Sequence, residues 1–158
     1  MPIVPVSGTM PLFNRSYQKK DGNMPHLTHI KVRGYHLDIY QHVNNARYLE
    51  FLEEARWAYL EDCGDVEYFT SRHLAWVIVN ININYRSAAT NGQQLQIATQ
   101  FSKIGSKSAV IHQVVSVAGS DTVVADADIT FVCLDQRTGR AVAIDGELLE
   151  RLSKHLTD

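Results

Sequence analysis

Hydrophobic positions recur along this chain with two periods, and the periods divide it into elements. From about Asn44 to Asp62, the residues Tyr48, Phe51, Leu52, Ala55 and Tyr59 fall at helical spacing and predict one long amphipathic helix. Leu49, Ala58 and Leu60 widen the stripe, so burial over much of the circumference is expected. Glu50, Glu53, Glu54 and Glu61 mark the polar side, where Arg47 with Glu50 and Glu53 with Arg56 stand three apart and can pair weakly. Asn44 suits an N-cap, and Gly64 is a natural stop.

Elsewhere the period is two. His26 to about Gly34 alternates into a strand that is polar on one face. Asp65 to His73 is a connector with a short helical turn around Val66 to Ser71. Val77, Val79, Ile81, Ile83 and Tyr85 then alternate with Ile78, Asn80, Asn82, Asn84 and Arg86, which predicts a long strand. A loop at Ser87 to Gly92 leads to a strand with Leu95, Ile97, Thr99 and Phe101 on one face. Gly105-Ser106 turns into Val110 to Val117, and Gly119-Ser120 turns into a strand with Val123, Ala125, Ala127, Ile129, Phe131 and Cys133 on its apolar face. Ala141 to Ile144 reads as a short edge strand, and Glu147 to about Leu156 as a final amphipathic helix.

A strand, one long helix and an antiparallel meander leave a covering problem, because one helix cannot shield both faces of such a sheet. The expected α+β solution is a curved antiparallel sheet wrapped around one long central helix, with the remaining surface closed by a partner chain. Long edge strands also favour a homo-oligomer. Residues 26–158 are read as one domain. Residues 1–25 mix Pro, Gly, Ser and Asn without a period and are read as a flexible N-terminal extension.

Composition narrows the classes of function. The 158 residues suit one domain with a substantial core, and a net charge of −2 gives no support to nucleic-acid binding. The two cysteines, Cys63 and Cys133, form no CxxC pair and fit a reducing, cytoplasmic setting. The apolar runs fall far short of the ~20 residues of a membrane helix, so no membrane insertion is expected. The seven histidines show no metal-ligand spacing, and neither GxxxxGK[ST], GxGxxG nor GxSxG occurs. No metal and no cofactor are expected.

The chemistry concentrates where the helix begins. Asp38 sits in an irregular segment just ahead of it, close to the positive end of a helix dipole. A carboxylate there is either a loop or capping group, or a catalytic group beside ready-made N–H donors. His42 could orient water or fix the loop. His36 reads as structural or exposed. Asn80, Asn82 and Asn84 share a strand face that suits a polar surface or a dimer seam better than substrate contact.

The run D-x-x-x-H-V-N-N-x-x-Y from Asp38 to Tyr48 resembles hotdog-fold acyl-CoA thioesterases of the 4-hydroxybenzoyl-CoA thioesterase type. With VRGYHLDIYQHVNNARYLEFLEEARW, WVIVNININYR and VVADADITFVC, the chain looks like the long-chain acyl-CoA thioesterase III (FadM) group over about Ile30 to Leu149. The resemblance implies a hotdog fold and hydrolysis of long-chain acyl-CoA to free acid and CoA. It implies Asp38 as nucleophile or general base, the Asn45 N–H as oxyanion donor, and active sites at the interface of a homodimer that often pairs into a homotetramer. Lys107-Ser108 matches a step that holds CoA phosphates in some members, here preceded by Ser106 instead of an arginine cluster. Tyr48, with Phe51 and Leu52, would line an acyl channel beside the helix, although all three are also ordinary core residues.

Two rivals stay open. A hotdog dehydratase or hydratase would depend on a histidine, His42 or His36, more than on Asp38. A non-catalytic acyl-CoA or acyl-carrier-protein binding module would tolerate Asp38→Asn. Another hotdog branch places a catalytic glutamate on the central helix, which makes Glu54 the next choice if Asp38 is dispensable.

Overall fold

The computed structural model describes residues 24–156. The extension expected over residues 1–25 lies outside these apart from Met24 and Pro25.

The described chain runs β1 (His26–Lys31), α1 (Arg47–Asp62), α2 (Asp65–Ser71), β2 (Leu74–Tyr85), β3 (Gln94–Ile104), β4 (Ser108–Val117), β5 (Val123–Asp135), β6 (Arg140–Ala141) and α3 (Gly146–Ser153). Its strands form one antiparallel sheet in the order β1-β3-β4-β5-β2. β6 pairs with the end of β5 beyond the reach of β4, through Leu134↔Ala141 and Asp135↔Arg140. β1 and β2 are thus the two outer strands.

The predicted stripe on α1 is the one that packs on the sheet, where it joins two layers of core. Tyr48, Phe51, Leu52 and Ala55 meet Leu95, Ile97, Val115, Ala127 and Ile129. Farther along, Tyr59 joins an aromatic layer with Phe69, Phe101 and Phe131, onto which α3 packs Leu148 and Leu152. Trp76 stacks on Phe131 with ring centroids 4.1 Å apart. Burying side chains of this size is worth about 1.5–3 kcal/mol each, which is why the helix follows its apolar stripe rather than its charges.

Several boundaries differ from the periodicity reading. α1 starts at Arg47, because Asn44 and Asn45 form a turn ahead of it: the Asn44 side chain accepts from the Ala46 N–H at 2.9 Å. α2 is a full seven-residue helix. The expected edge strand at Ala141 to Ile144 is reduced to Arg140–Ala141, since the Ile144 N–H leaves the ladder to donate to the Ser106 carbonyl. α3 ends at Ser153 rather than Leu156.

β2 departs most from the expected pattern. Its register with β5 slips between Ile78 and Asn80, leaving Val79 as the extra residue of a bulge. Before the bulge, Leu74 and Trp76 pack into the core; after it, Ile81 and Ile83 do. Val77 and Val79, expected on the inner face, are exposed instead. Arg56 also departs from its expected pairing. It is buried and donates from Nη1 to the Gln113 side chain at 3.0 Å, rather than pairing with Glu53 on the surface.

Candidate active site

The segment between β1 and α1 makes a compact turn before the helix starts. Leu37 and Val43 form an isolated antiparallel bridge, and the Asp38 N–H donates to the His42 carbonyl at 2.8 Å. Gln41 closes the turn with φ +62°, in the left-handed region. The Val43 N–H donates to Ala89, and His42 bridges to Thr90, so the β2–β3 loop holds the turn from the other side.

This turn shapes the Asp38 carboxylate. Oδ1 accepts from the Tyr40 N–H at 2.9 Å and from the His42 N–H at 3.3 Å. Oδ2 has no hydrogen-bond partner among the described residues. The side chain is half-buried, so one oxygen is oriented by the backbone and the other is available.

Asn45 lies in the turn just ahead of α1. Its carbonyl accepts from the Tyr85 hydroxyl at 3.0 Å, which fixes the peptide against the end of β2. Its own N–H has no acceptor among the described residues, while the flanking Asn44 and Arg47 N–H groups donate to His36 and Asn44 carbonyls. Helix-start N–H groups without acceptors are ready anion sites.

The histidines separate by environment. His36 is buried, its ring edge-on to Phe51 with centroids 4.9 Å apart, and its Nδ1 accepts from the Arg33 N–H at 3.0 Å. Burial, joined by the positive charges of Arg47 and Arg33, lowers its pKa, so it is a neutral structural residue supporting the turn. The His42 ring is exposed and has no partner among the described residues.

The remaining candidates do not all gather here. Tyr48 is nearly fully buried and in contact with the Tyr85 ring; burial pushes its hydroxyl up to about 12. It is part of the core that carries the site. Lys107 is exposed in the β3–β4 turn and Ser108 opens β4. Both stand at the opposite end of the sheet from Asn45, roughly 30 Å away by the rise of an eleven-residue strand such as β3. Arg86 is held by Asp126, to which Asn84 also donates. Glu53 and Glu54 are exposed on the outer side of α1.

The polar group that the sequence reading missed is internal. Gln113 is fully buried and donates to the Leu52 carbonyl and to the Thr99 hydroxyl, both at 3.0 Å, while accepting from Arg56. The available signal was parity: Gln113 shares the inward-facing face of β4 with Ile111 and Val115.

A curled antiparallel sheet around one long helix, with a backbone-held carboxylate where that helix begins, defines a hotdog-fold protein. The chain belongs to the thioesterase-like superfamily, whose family model matches residues 32–152. The long-chain acyl-CoA thioesterase FadM of Escherichia coli (strain K12) is 54% identical over 127 residues, which cover 80% of this chain and 96% of FadM. The crystal structure of YbaW, a probable thioesterase from Escherichia coli, aligns with a TM-score of 0.79 at 52% identity, covering 84% of this chain and 99% of YbaW. A 1,4-dihydroxy-2-naphthoyl-CoA thioesterase from Synechocystis, Slr0204, aligns with a TM-score of 0.71 at 15% identity over 81% and 95% of the two chains, a likeness of fold alone.

Proposed function

We propose that this protein hydrolyses long-chain acyl-CoA to free fatty acid and CoA, with Asp38 and the Asn45 N–H as its reacting groups. The protein is an acyl-CoA thioester hydrolase. The preference for long chains is supported by its likeness to FadM. One observation carries the assignment of the site: among the described residues, Asp38 has one oxygen held by two backbone N–H groups and the other without a partner, and the Asn45 N–H just ahead of α1 has no acceptor.

The thioester carbonyl oxygen accepts from the Asn45 N–H, with the start of α1 stabilising the developing negative charge. Asp38 Oδ2 then either attacks the carbonyl carbon or takes a proton from an attacking water. In the first case the C–S bond breaks, CoA leaves as its thiolate and water cleaves the resulting anhydride. In the second the water oxygen ends directly in the acid. Both routes consume one water and yield one carboxylic acid and one thiol. His42, exposed on the same turn, orients water.

The active unit in this reading is a homodimer, able to pair further into a tetramer, built on the outer edge of β2. That edge is twelve residues long and exposes Val77, Ile78 and Val79. Unpaired, it would be an aggregation-prone edge. Antiparallel pairing of two β2 strands about a two-fold axis sets the Tyr85 end of one protomer beside the Val77 end of the other. Val77 and Ser108 both face Val132 of β5. Such pairing therefore carries Lys107 and Ser108 of one subunit towards the Asn45 end of the other, where they meet the CoA phosphates. Two free cysteines and a CoA substrate suit the cytoplasm.

Release of CoA thiol from a panel of acyl-CoAs tests the chemistry. Asp38→Asn is expected to lower kcat by roughly 10²–10⁴-fold with fold and oligomer intact. Equal turnover by both proteins would make Asp38 structural and move attention to Glu54 and His42. For the assembly, Val79→Asp on the β2 edge is expected to shift sedimentation from dimer to monomer and to abolish turnover with it. A dimer that persists would overturn the β2 seam.

A further inference from the structure

The two halves of the proposed site are held by one further piece of chain, the end of β2 and the loop after it. The loop holds the carboxylate half through its backbone: the Ala89 carbonyl accepts from the Val43 N–H at 2.9 Å, and Thr90 bridges to His42. Tyr85, the last residue of β2, holds the other half through its side chain. Its hydroxyl donates to the Asn45 carbonyl at 3.0 Å.

The Asn45 carbonyl is open to such a donor because the helix does not use it. In a regular α-helix it would accept from the N–H of Leu49. Here the Leu49 N–H donates to the Ala46 carbonyl and the Arg47 N–H to the Asn44 carbonyl, so the entry is wound more tightly than the helix that follows. The bonds from the Ala46 and Arg47 N–H groups to Asn44 join the turn to itself. Among the described residues, the Tyr85 hydroxyl is the one group that ties the Asn45 backbone to the sheet.

Tyr85 stands on a firm base. Its backbone pairs with Ala125 of β5, and the Arg86 and Ser87 N–H groups both donate to the Val124 carbonyl. Its ring meets the nearly fully buried Tyr48 ring edge-on, with centroids 5.6 Å apart. It follows Ile81 and Ile83 along the inward face of β2, at the rim where the core gives way to the turn, and it is exposed there.

We infer that Tyr85 is a positioning residue for the oxyanion donor: by fixing the Asn45 carbonyl, its hydroxyl fixes where the Asn45 N–H points. This assignment rests on the hydrolysis reading. Magnitudes separate it from a purely structural role. An exposed neutral hydrogen bond adds little to stability, whereas moving a reacting group by ~1 Å can cost ~10² in rate. Loss of the hydroxyl therefore falls on turnover more than on folding.

Tyr85→Phe keeps the ring on Tyr48 and removes only the donor. In release of CoA thiol from dodecanoyl-CoA it is expected to lower kcat roughly tenfold and to hold KM within about twofold, with native thermal midpoint and sedimentation. Tyr85→Leu, which also removes the ring, is expected to add a stability loss without a further fall in kcat per folded molecule. Binding gives a readout apart from turnover. The native protein and Tyr85→Phe are titrated with two inert analogues of dodecanoyl-CoA, a ketone with CH2 in place of the sulfur and a thioether with CH2 in place of the carbonyl. The native protein is expected to prefer the ketone several-fold, and Tyr85→Phe to lose that preference with thioether binding unchanged. Undiminished kcat in Tyr85→Phe would overturn the assignment and leave the hydrolysis reading standing. A raised KM at constant kcat, or equal weakening of both analogues, would make Tyr85 a substrate contact instead. A fall in kcat that tracks loss of the fold or of the oligomer would make it structural. Absence of thiol release from the native protein would remove the hydrolysis reading, and this assignment with it.

Discussion

Asp38 and Asp65 stand at opposite ends of α1 and are held in opposite ways. Asp38 is half-buried and, among the described residues, accepts only from backbone N–H groups and keeps one oxygen without a partner. Asp65 is almost completely buried, and both of its oxygens are taken by side chains from the C-terminal segment. Arg151 Nε donates to Oδ1 at 2.6 Å, and His155 Nε2 lies 3.0 Å from Oδ2. Arg151 also donates to the Gly64 carbonyl, so this group closes the C-terminal end of α1 against α3. A carboxylate whose capacity is used up is a fastener. One left partly open keeps an oxygen that no described residue occupies, as the proposed reaction requires.

The comparison breaks first at Asp38. If the two roles are as described, Asp38→Asn removes most of the turnover and leaves the unfolding midpoint nearly unchanged, because a neutral amide can still accept from the Tyr40 and His42 N–H groups. Asp65→Asn is expected to do the reverse: a stability loss of roughly 3 kcal/mol, since Arg151 loses a buried partner, with kcat per folded molecule preserved. Unfolding curves and thiol release on the same two variants check both halves. Equal losses of stability would erase the distinction.

Acidity sharpens the same contrast. Burial pushes the Asp65 carboxyl up, but the hydrogen bonds and charges of His155 and Arg151 outweigh it and hold the group below the usual carboxylate range. The folded state therefore binds this proton less readily than the unfolded chain does. The stabilisation is fully present above the ordinary aspartate value of about 3.9 and is lost as pH falls through the lower folded value. Native protein should lose stability over that window more steeply than Asp65→Asn, and parallel acid limbs would show that Asp65 contributes nothing.

Much of this was legible in the sequence, and the parts that were not share a cause. The α1 stripe and the β3, β4 and β5 alternations were readable because burial on one face imposes a period. The bulge at Val79 was hidden because Trp76 to Ile78 are apolar on both faces, so no parity marks where the register slips. The Arg56–Gln113 bond joins residues 57 apart, and each read as an ordinary polar position of its own element. Asp38 and His42 drew attention as polar residues of one short segment ahead of the helix, whereas the part given to Asn45 came from resemblance. Lys107 and Ser108 were named only through resemblance, and one protomer holds them at the far end of the sheet from Asn45.

The smallest effect expected lies at the start of α1, and it asks whether the open end of the helix is also a positioned one. Asn44 accepts from the Ala46 N–H through its side chain and from the Arg47 N–H through its carbonyl, both at 2.9 Å. Asn44→Ala removes the side-chain bond of this turn and should cost about 1 kcal/mol of stability, the usual worth of one hydrogen bond. Asn45 lies between those two contacts, so loosening the turn should also let its N–H wander from the oxyanion. That loss acts in the transition state, so kcat should fall by a few-fold to about tenfold while KM holds. A variant that loses stability alone would show that the Tyr85–Asn45 hydrogen bond is enough to hold the donor, and that Asn44 serves the helix rather than the reaction.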